Sequence, residues 1–224
     1  MPVPFSTDRD LLIAEPNVFT DLAFLGQERI HVGDAVLQGT ALTSALADFD
    51  AADIACGAVA LVGLSGAPSV AFEVVARPDG HTLTVSLPRT AVGEEPLPGA
   101  IPGAPAGGGP LDLIVRTFAP QAMLVHDRLL HLLDLDGRCA PCVGEEAIVS
   151  LSAVGHLEVL GTLATLYGGA GALTDRAADL LARARDYQNR FQSALRRAVI
   201  RLDLDGDGYP DARRRFDTIQ LTRT

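Results

Sequence analysis

Val70-Ala-Phe-Glu-Val-Val-Ala-Arg77-Pro78-Asp79-Gly80 followed by His81-Thr-Leu83-Thr-Val85-Ser-Leu87 reads as two strands joined by a turn. Leu83, Val85 and Leu87 alternate with polar residues, which is the period-two pattern of a half-buried strand. Arg77-Pro-Asp-Gly80 has turn chemistry, since Pro presets φ and Gly accepts positive φ. Upstream, Asp34 to Thr43 and Ala58 to Leu64 repeat the Thr/Val-rich, Gly-punctuated style. Four or more short strands at this spacing predict a small antiparallel barrel or sandwich over residues 30–92.

On either side the pattern changes. Ser6-Thr-Asp8 offers helix-capping oxygens before Leu11-Leu12-Ile13; Glu15-Pro16 interrupts, and Asn17 to Leu25 forms a second short helical pattern. We read 1–29 as a helical segment joining the helical core. Residues 93–110 contain too many Gly and Pro for either regular element and predict a flexible linker or an exposed loop. Leu111 to Phe118 is an extended piece opening the helical core assigned to 111–202. In that core a helix opened by Pro120 would bury Met123, Leu124, Leu129, Leu130 and Leu133. A second helix starts near Ser152, carries Leu157, Leu160, Ala164 and Tyr167, and ends at Gly168 to Gly171. The last helix starts at Thr174 and runs through Phe191 and Leu195 to Leu202, about 40 Å long. The expected class is α+β: a C-terminal helical bundle with a long terminal helix, plus an N-terminal β-barrel or sandwich insertion.

The chain has 224 residues, 48% of them hydrophobic, enough for a proper core. No apolar run reaches the roughly 20 residues of a membrane span, and the first residues lack signal-peptide character, so cytoplasmic synthesis and use is expected. All 18 basic residues are Arg, a bias that suggests a GC-rich bacterial coding sequence. Residues 1–160 hold 7 Arg against 20 acidic residues, whereas residues 161–224 hold 11 Arg against 8. With a net charge of −10, the surface opposes tight wrapping of nucleic acid but is compatible with DNA sliding past it.

Asp203-Leu-Asp205-Gly-Asp207-Gly208-Tyr-Pro-Asp211 matches the first nine positions of a calcium loop, with carboxylates at 1, 3, 5 and 9 and Gly at 6. Arg214 occupies position 12, where the bidentate Glu belongs, unless Asp217 reaches in. The residues therefore support either a weak Ca2+ or Mg2+ site at Asp203, Asp205, Asp207 and Asp211, or an Asp/Gly turn that caps its own backbone. Arg176, Arg183, Arg190 and Arg197 recur every seventh residue along the last helix, a row that is either a solvated face or a docking surface for an acidic neighbour or DNA.

Cys139-Ala-Pro-Cys142 has redox-motif spacing, but it follows a helix end rather than a strand and opens no clear helix. His126 and His131 project about 140° apart on a helix, unsuited to completing a zinc site with that pair. His31, His81 and His156 are isolated. No phosphate loop, G-x-S-x-G or H-E-x-x-H occurs, and a non-enzymatic protein is expected.

Several phrases together resemble the head-tail connector, or adaptor, proteins of tailed phages: Ser6-Thr-Asp-Arg-Asp-Leu-Leu12 with Glu15-Pro-Asn-Val-Phe-Thr-Asp-Leu-Ala23, Arg116-Thr-Phe-Ala-Pro-Gln121 with Val125-His-Asp-Arg-Leu-Leu130, His156 to Leu163, and Tyr187-Gln-Asn-Arg-Phe191 ahead of Leu202 to Gly208, Arg214 and Leu221-Thr-Arg223. The resemblance implies a ring, commonly of about twelve subunits, bound beneath a portal protein and joined to a tail or stopper protein. It also implies a helical core that sometimes carries an inserted barrel, passage of DNA without tight binding, and a place in the virion neck after assembly in the host cytoplasm. No cofactor is required by it. Residues 203–224 would then form the Asp/Gly turn and a C-terminal docking strand, with Phe216, Ile219, Leu221 and Arg223 as contact residues. The rival readings are a calcium-dependent binding module on the Asp loop and a thiol enzyme using Cys139 and Cys142.

Overall fold

The structure, a computed structural model, describes residues 3–105, 107–135, 144–174 and 177–216. The chain divides into two compact units: Thr7–Phe118, and the residues up to Ser6 together with those from Ala119 onward.

The first unit is built on a closed antiparallel barrel. Its strands are β1 (Gln27–Gln38), β2 (Ala41–Thr43), β3 (Val59–Gly63), β4 (Val70–Asp79), β5 (Thr82–Ser86) and β6 (Leu111–Thr117), in the order β1-β2-β5-β4-β3-β6. The β4–β5 hairpin predicted from sequence is present, with Asp79 facing Thr82, so its loop is Gly80-His81 rather than 77–80. Leu83 and Val85 point into the core, as their alternation demands.

β6 is the strand whose place the sequence reading missed. Leu111–Thr117, assigned above to the helical core, pairs with both β1 and β3 and closes the barrel. Its alternation was visible; its partners lie about fifty and eighty residues upstream, and no local pattern encodes that pairing. Closure removes both sheet edges, with Leu111, Leu113 and Val115 completing the core.

Segment 7–29 also belongs to this unit rather than to the helical one. α1 (Asp8–Ala14) begins with a reciprocal capping box between Thr7 and Asp10. It is followed by α2 (Val18–Asp21) and a 3-10 turn, Ala23–Leu25. α1 packs against β3, and all five β3 residues are buried, which explains its uninterrupted apolar run. Phe19 and Phe118 pack ring to ring, 4.9 Å between centroids.

The Gly/Pro-rich segment is not a free linker. Ile101 is 7% exposed and enters the barrel core, while Leu87 N–H bonds Leu97 O and Leu37 N–H bonds Gly108 O. Gly108 has φ +78°, and a Cβ there would lie 2.2 Å from Leu37 O. Glycine here lets the loop backbone lie directly on β1.

The second unit contains α3 (Ala119–Leu132), α4 (Leu151–Leu173), α5 (Ala177–Arg197) and a two-stranded sheet of β7 (Val199–Leu202) and β8 (Ala212–Arg215). α3 buries Ala122, Val125, His126, Leu129 and Leu130; Leu124, expected inside, is 65% exposed. α4 packs on both α3 and α5. A Cβ on Gly161 would stand 2.6 Å from Val125 and 3.2 Å from Phe191, so this glycine permits both neighbours to approach. α4 also continues through Gly168 and Gly171 to Leu173, past its expected end, because Ala170 and Gly171 are buried and packing outweighs propensity. Gly171 sits under Leu181, 2.7 Å from where a Cβ would be.

α5 stops at Arg197, not Leu202. At 21 residues it spans about 31 Å. Val199–Leu202 instead forms β7, because Ile200 and Leu202 are fully buried in strand register with Arg214 and Ala212. Among the described residues, no helix is long and apolar enough to cross a membrane.

Candidate functional site

The Asp-rich loop connects β7 to β8, so it closes a hairpin rather than ending a helix. Its start is anchored by Asp203 N–H to Ala147 O at 2.8 Å, its end by Asp211 N–H to Leu202 O at 2.9 Å. Inside, Gly206 and Gly208 N–H each donate to an Asp203 oxygen at 2.7 Å. Asp207 N–H donates to Asp205 Oδ1 at 3.2 Å, Tyr209 N–H to Asp207 Oδ1 at 2.8 Å and Leu204 N–H to Asp211 Oδ2 at 3.0 Å. Gly206 and Gly208 take φ +79° and +87°, conformations that glycine supplies without strain.

Carboxylate oxygens of Asp203, Asp205 and Asp211 converge within 4.8 Å of one another; Asp207 is not in that group. The Gly208 N–H bond, aided by that of Gly206, lowers the Asp203 pKa. Asp205 is raised: the Asp207 N–H works against the rise, but desolvation and the charges of Asp207, Asp211 and Asp203 outweigh it. This is the electrostatics of clustered carboxylates, and it offers a hard cation three oxygen ligands. Arg214 supplies no ligand at position 12. Its guanidinium donates instead to the carbonyls of Leu133 and Asp134, pinning β8 to the end of α3. Asp217 lies outside the described residues.

On the hairpin strands, Arg201 stands directly opposite Arg213, and Val199 opposite Arg215. These four share one face; Ile200 and Leu202 take the other and are buried. A cleft beside the hairpin is bounded by Leu132, Leu133, Asp134, Val199 and Arg213 to Arg215.

The α5 arginine row is engaged within its own unit. Arg183 donates to Tyr167 OH at 3.2 Å and lies 5.6 Å over that ring. Arg190 pairs with Asp186 at 2.7 Å and lies over Tyr187, and Arg197 Nε donates to Ser193 O at 3.1 Å. Phe216 is half-buried. Arg176, Ile219, Leu221, Arg223, Cys139 and Cys142 fall outside the described residues.

Two buried polar networks escaped the sequence reading. Glu158, with no exposed surface, accepts from Phe5 N–H at 3.1 Å, Ser6 N–H at 2.9 Å and Ser6 Oγ–H at 2.6 Å. His126, equally buried, places its two ring nitrogens 3.2 Å from Glu158 and 2.9 Å from Glu145. That occupies both nitrogens of a histidine weighed above as a zinc ligand. In the barrel unit, Arg9 and Arg89 both donate to the buried Glu73, and Arg9 also reaches Arg89 O at 2.6 Å. The detectable signal was a single Glu inside the apolar pattern of α4.

Asp8 is a third such group. Burial pushes its carboxyl from 3.8 up to about 6, against the pull of the Phe118 N–H, Thr117 and Arg29. Phe118 N–H donates to it at 2.9 Å.

These features define an α+β protein whose polar clusters consist of turn-forming carboxylates, a basic hairpin and structural ion pairs. No protein-family model, no curated protein and no solved structure matches the chain significantly.

Proposed function

We propose that the chain is a structural protein of a virion neck: a non-enzymatic head-tail adaptor that forms a ring between a portal and a tail or stopper protein, with DNA passing through. The observation that carries this reading is the insertion. The chain starts in the helical unit, leaves it at Thr7 for the barrel, and returns at Ala119. A barrel inserted into a helical unit is the organisation that the sequence resemblance implies. In this reading α3, α4 and α5 form the helical bundle, α5 is its long terminal helix, and the chain after β8 docks on the portal.

The test is electron microscopy and light scattering of the purified full chain, alone and with a candidate portal protein. Rings, formed alone or on the portal, are expected. A monomer that ignores the portal overturns the proposal.

The converging oxygens of Asp203, Asp205 and Asp211 favour a second reading, a calcium-dependent binding module. It requires that Ca2+ raise the melting temperature, that chelator reverse the rise, and that Asp203→Asn/Asp205→Asn abolish it.

A further inference from the structure

Arg201 and Arg213 face each other across β7 and β8, both exposed. Directly opposed side chains in an antiparallel pair stand about 5 Å apart at Cβ, where like charges repel. No acidic side chain is paired with either guanidinium among the described residues. Their register is held from the opposite face, where Ile200 and Leu202 are fully buried and Arg214 is tied to two carbonyls. The hairpin is thus a rigid mount that keeps two unneutralised cations side by side.

The barrel unit carries the complementary surface. Asp48, Asp50 and Asp53 lie in the loop between β2 and β3, and this loop is fastened to the β4–β5 turn by Phe49 N–H to Gly80 O at 2.7 Å. Asp79 stands at that turn. All four carboxylates are exposed, and among the described residues Arg77, paired with Asp50 at 2.9 Å, is the cation that compensates them.

We infer that the Arg201/Arg213 face of β7–β8 docks on the Asp48/Asp50/Asp53/Asp79 end of the barrel in a second copy of this chain. Charge complementarity selects this occupant. A polyanion such as duplex DNA would meet a molecule of net charge −10, whereas a second copy presents a localised acidic patch. Such a contact joins two different surfaces, so it propagates from copy to copy and closes into a ring when the rotation permits. The inference rests on the ring-forming reading above and names the contact that would build the ring.

The test uses the full chain, alone and with the portal, at low ionic strength, with mass read by light scattering. R201E/R213E and, separately, D50R/D53R should each raise the concentration needed for assembly by about tenfold or more. Mixing the two variants in equal amounts should restore assembly, because each then meets an opposite charge; restoration also shows that both are folded. Assembly that is indifferent to R201E/R213E, or no restoration on mixing, overturns the contact and leaves the adaptor reading standing. Loss of duplex-DNA retention by R201E/R213E with unchanged mass also overturns it, in favour of a polyanion. Absence of assembly both alone and on the portal overturns contact and adaptor together.

Discussion

Ser6 and Glu158 are joined by two hydrogen bonds across 152 residues of chain: the Ser6 N–H donates at 2.9 Å and its hydroxyl at 2.6 Å, both to Glu158 Oε1. The bonds tie the N-terminal segment to the centre of α4, and the other Glu158 oxygen takes Phe5 N–H and faces His126.

Removing that carboxylate strands buried donors without acceptors. Glu158→Ala should cost about 3 kcal/mol, and Ser6→Ala about 1 kcal/mol. Urea unfolding of each variant measures this; a loss below half the first figure would show that the network is dispensable.

Asp8 makes stability depend on pH in the unusual direction for a carboxylate. Its folded pKa, about 6, lies above the unfolded value near 3.8, so the native state binds the proton more tightly. Its stabilising contribution is fully present below pH 4 and is lost as pH rises through 6, by about 3 kcal/mol at most. Asp8→Asn should flatten that part of the stability-against-pH curve; an unchanged slope between pH 4 and 6 refutes the assignment.

Ile101 reads as part of a linker yet fills the barrel core. Ile101→Ala should therefore destabilise the protein by about 2–4 kcal/mol, as a core truncation does. A mutant within 0.5 kcal/mol of wild type, the usual surface value, would place this residue back in solvent.

Gly161 tests the helix packing. A methyl group there would collide with Val125, 2.6 Å away, so Gly161→Ala should lower stability by about 1–3 kcal/mol despite its better helix propensity. Pairing it with Val125→Ala should recover part of the loss, which a double-mutant cycle reads directly.

The existence of most elements was legible. Leu83, Val85 and Leu87 announced a strand by alternation, Ser6 to Asp8 a helix start by capping chemistry, and Asp203 to Asp211 a tight loop by its glycines. These rest on interactions within a few residues, which sequence records directly. The last helix was partly legible too: Phe191 and Leu195, on its expected path, are buried.

What the sequence by itself determined is therefore the α+β class, the β-rich stretch ahead of helices, and the carboxylate-rich loop with its missing twelfth ligand. Tertiary structure alone decided that Leu111–Thr117 closes the barrel, that Val199–Leu202 leaves the helix for a hairpin, that Ile101 is core, and that Glu158 and Glu73 are buried in hydrogen-bonded networks. Each of these depends on partners tens of residues away. Local propensity is worth tenths of a kilocalorie per residue, whereas burial against a distant partner is worth kilocalories, so the distant partner prevails wherever the two disagree.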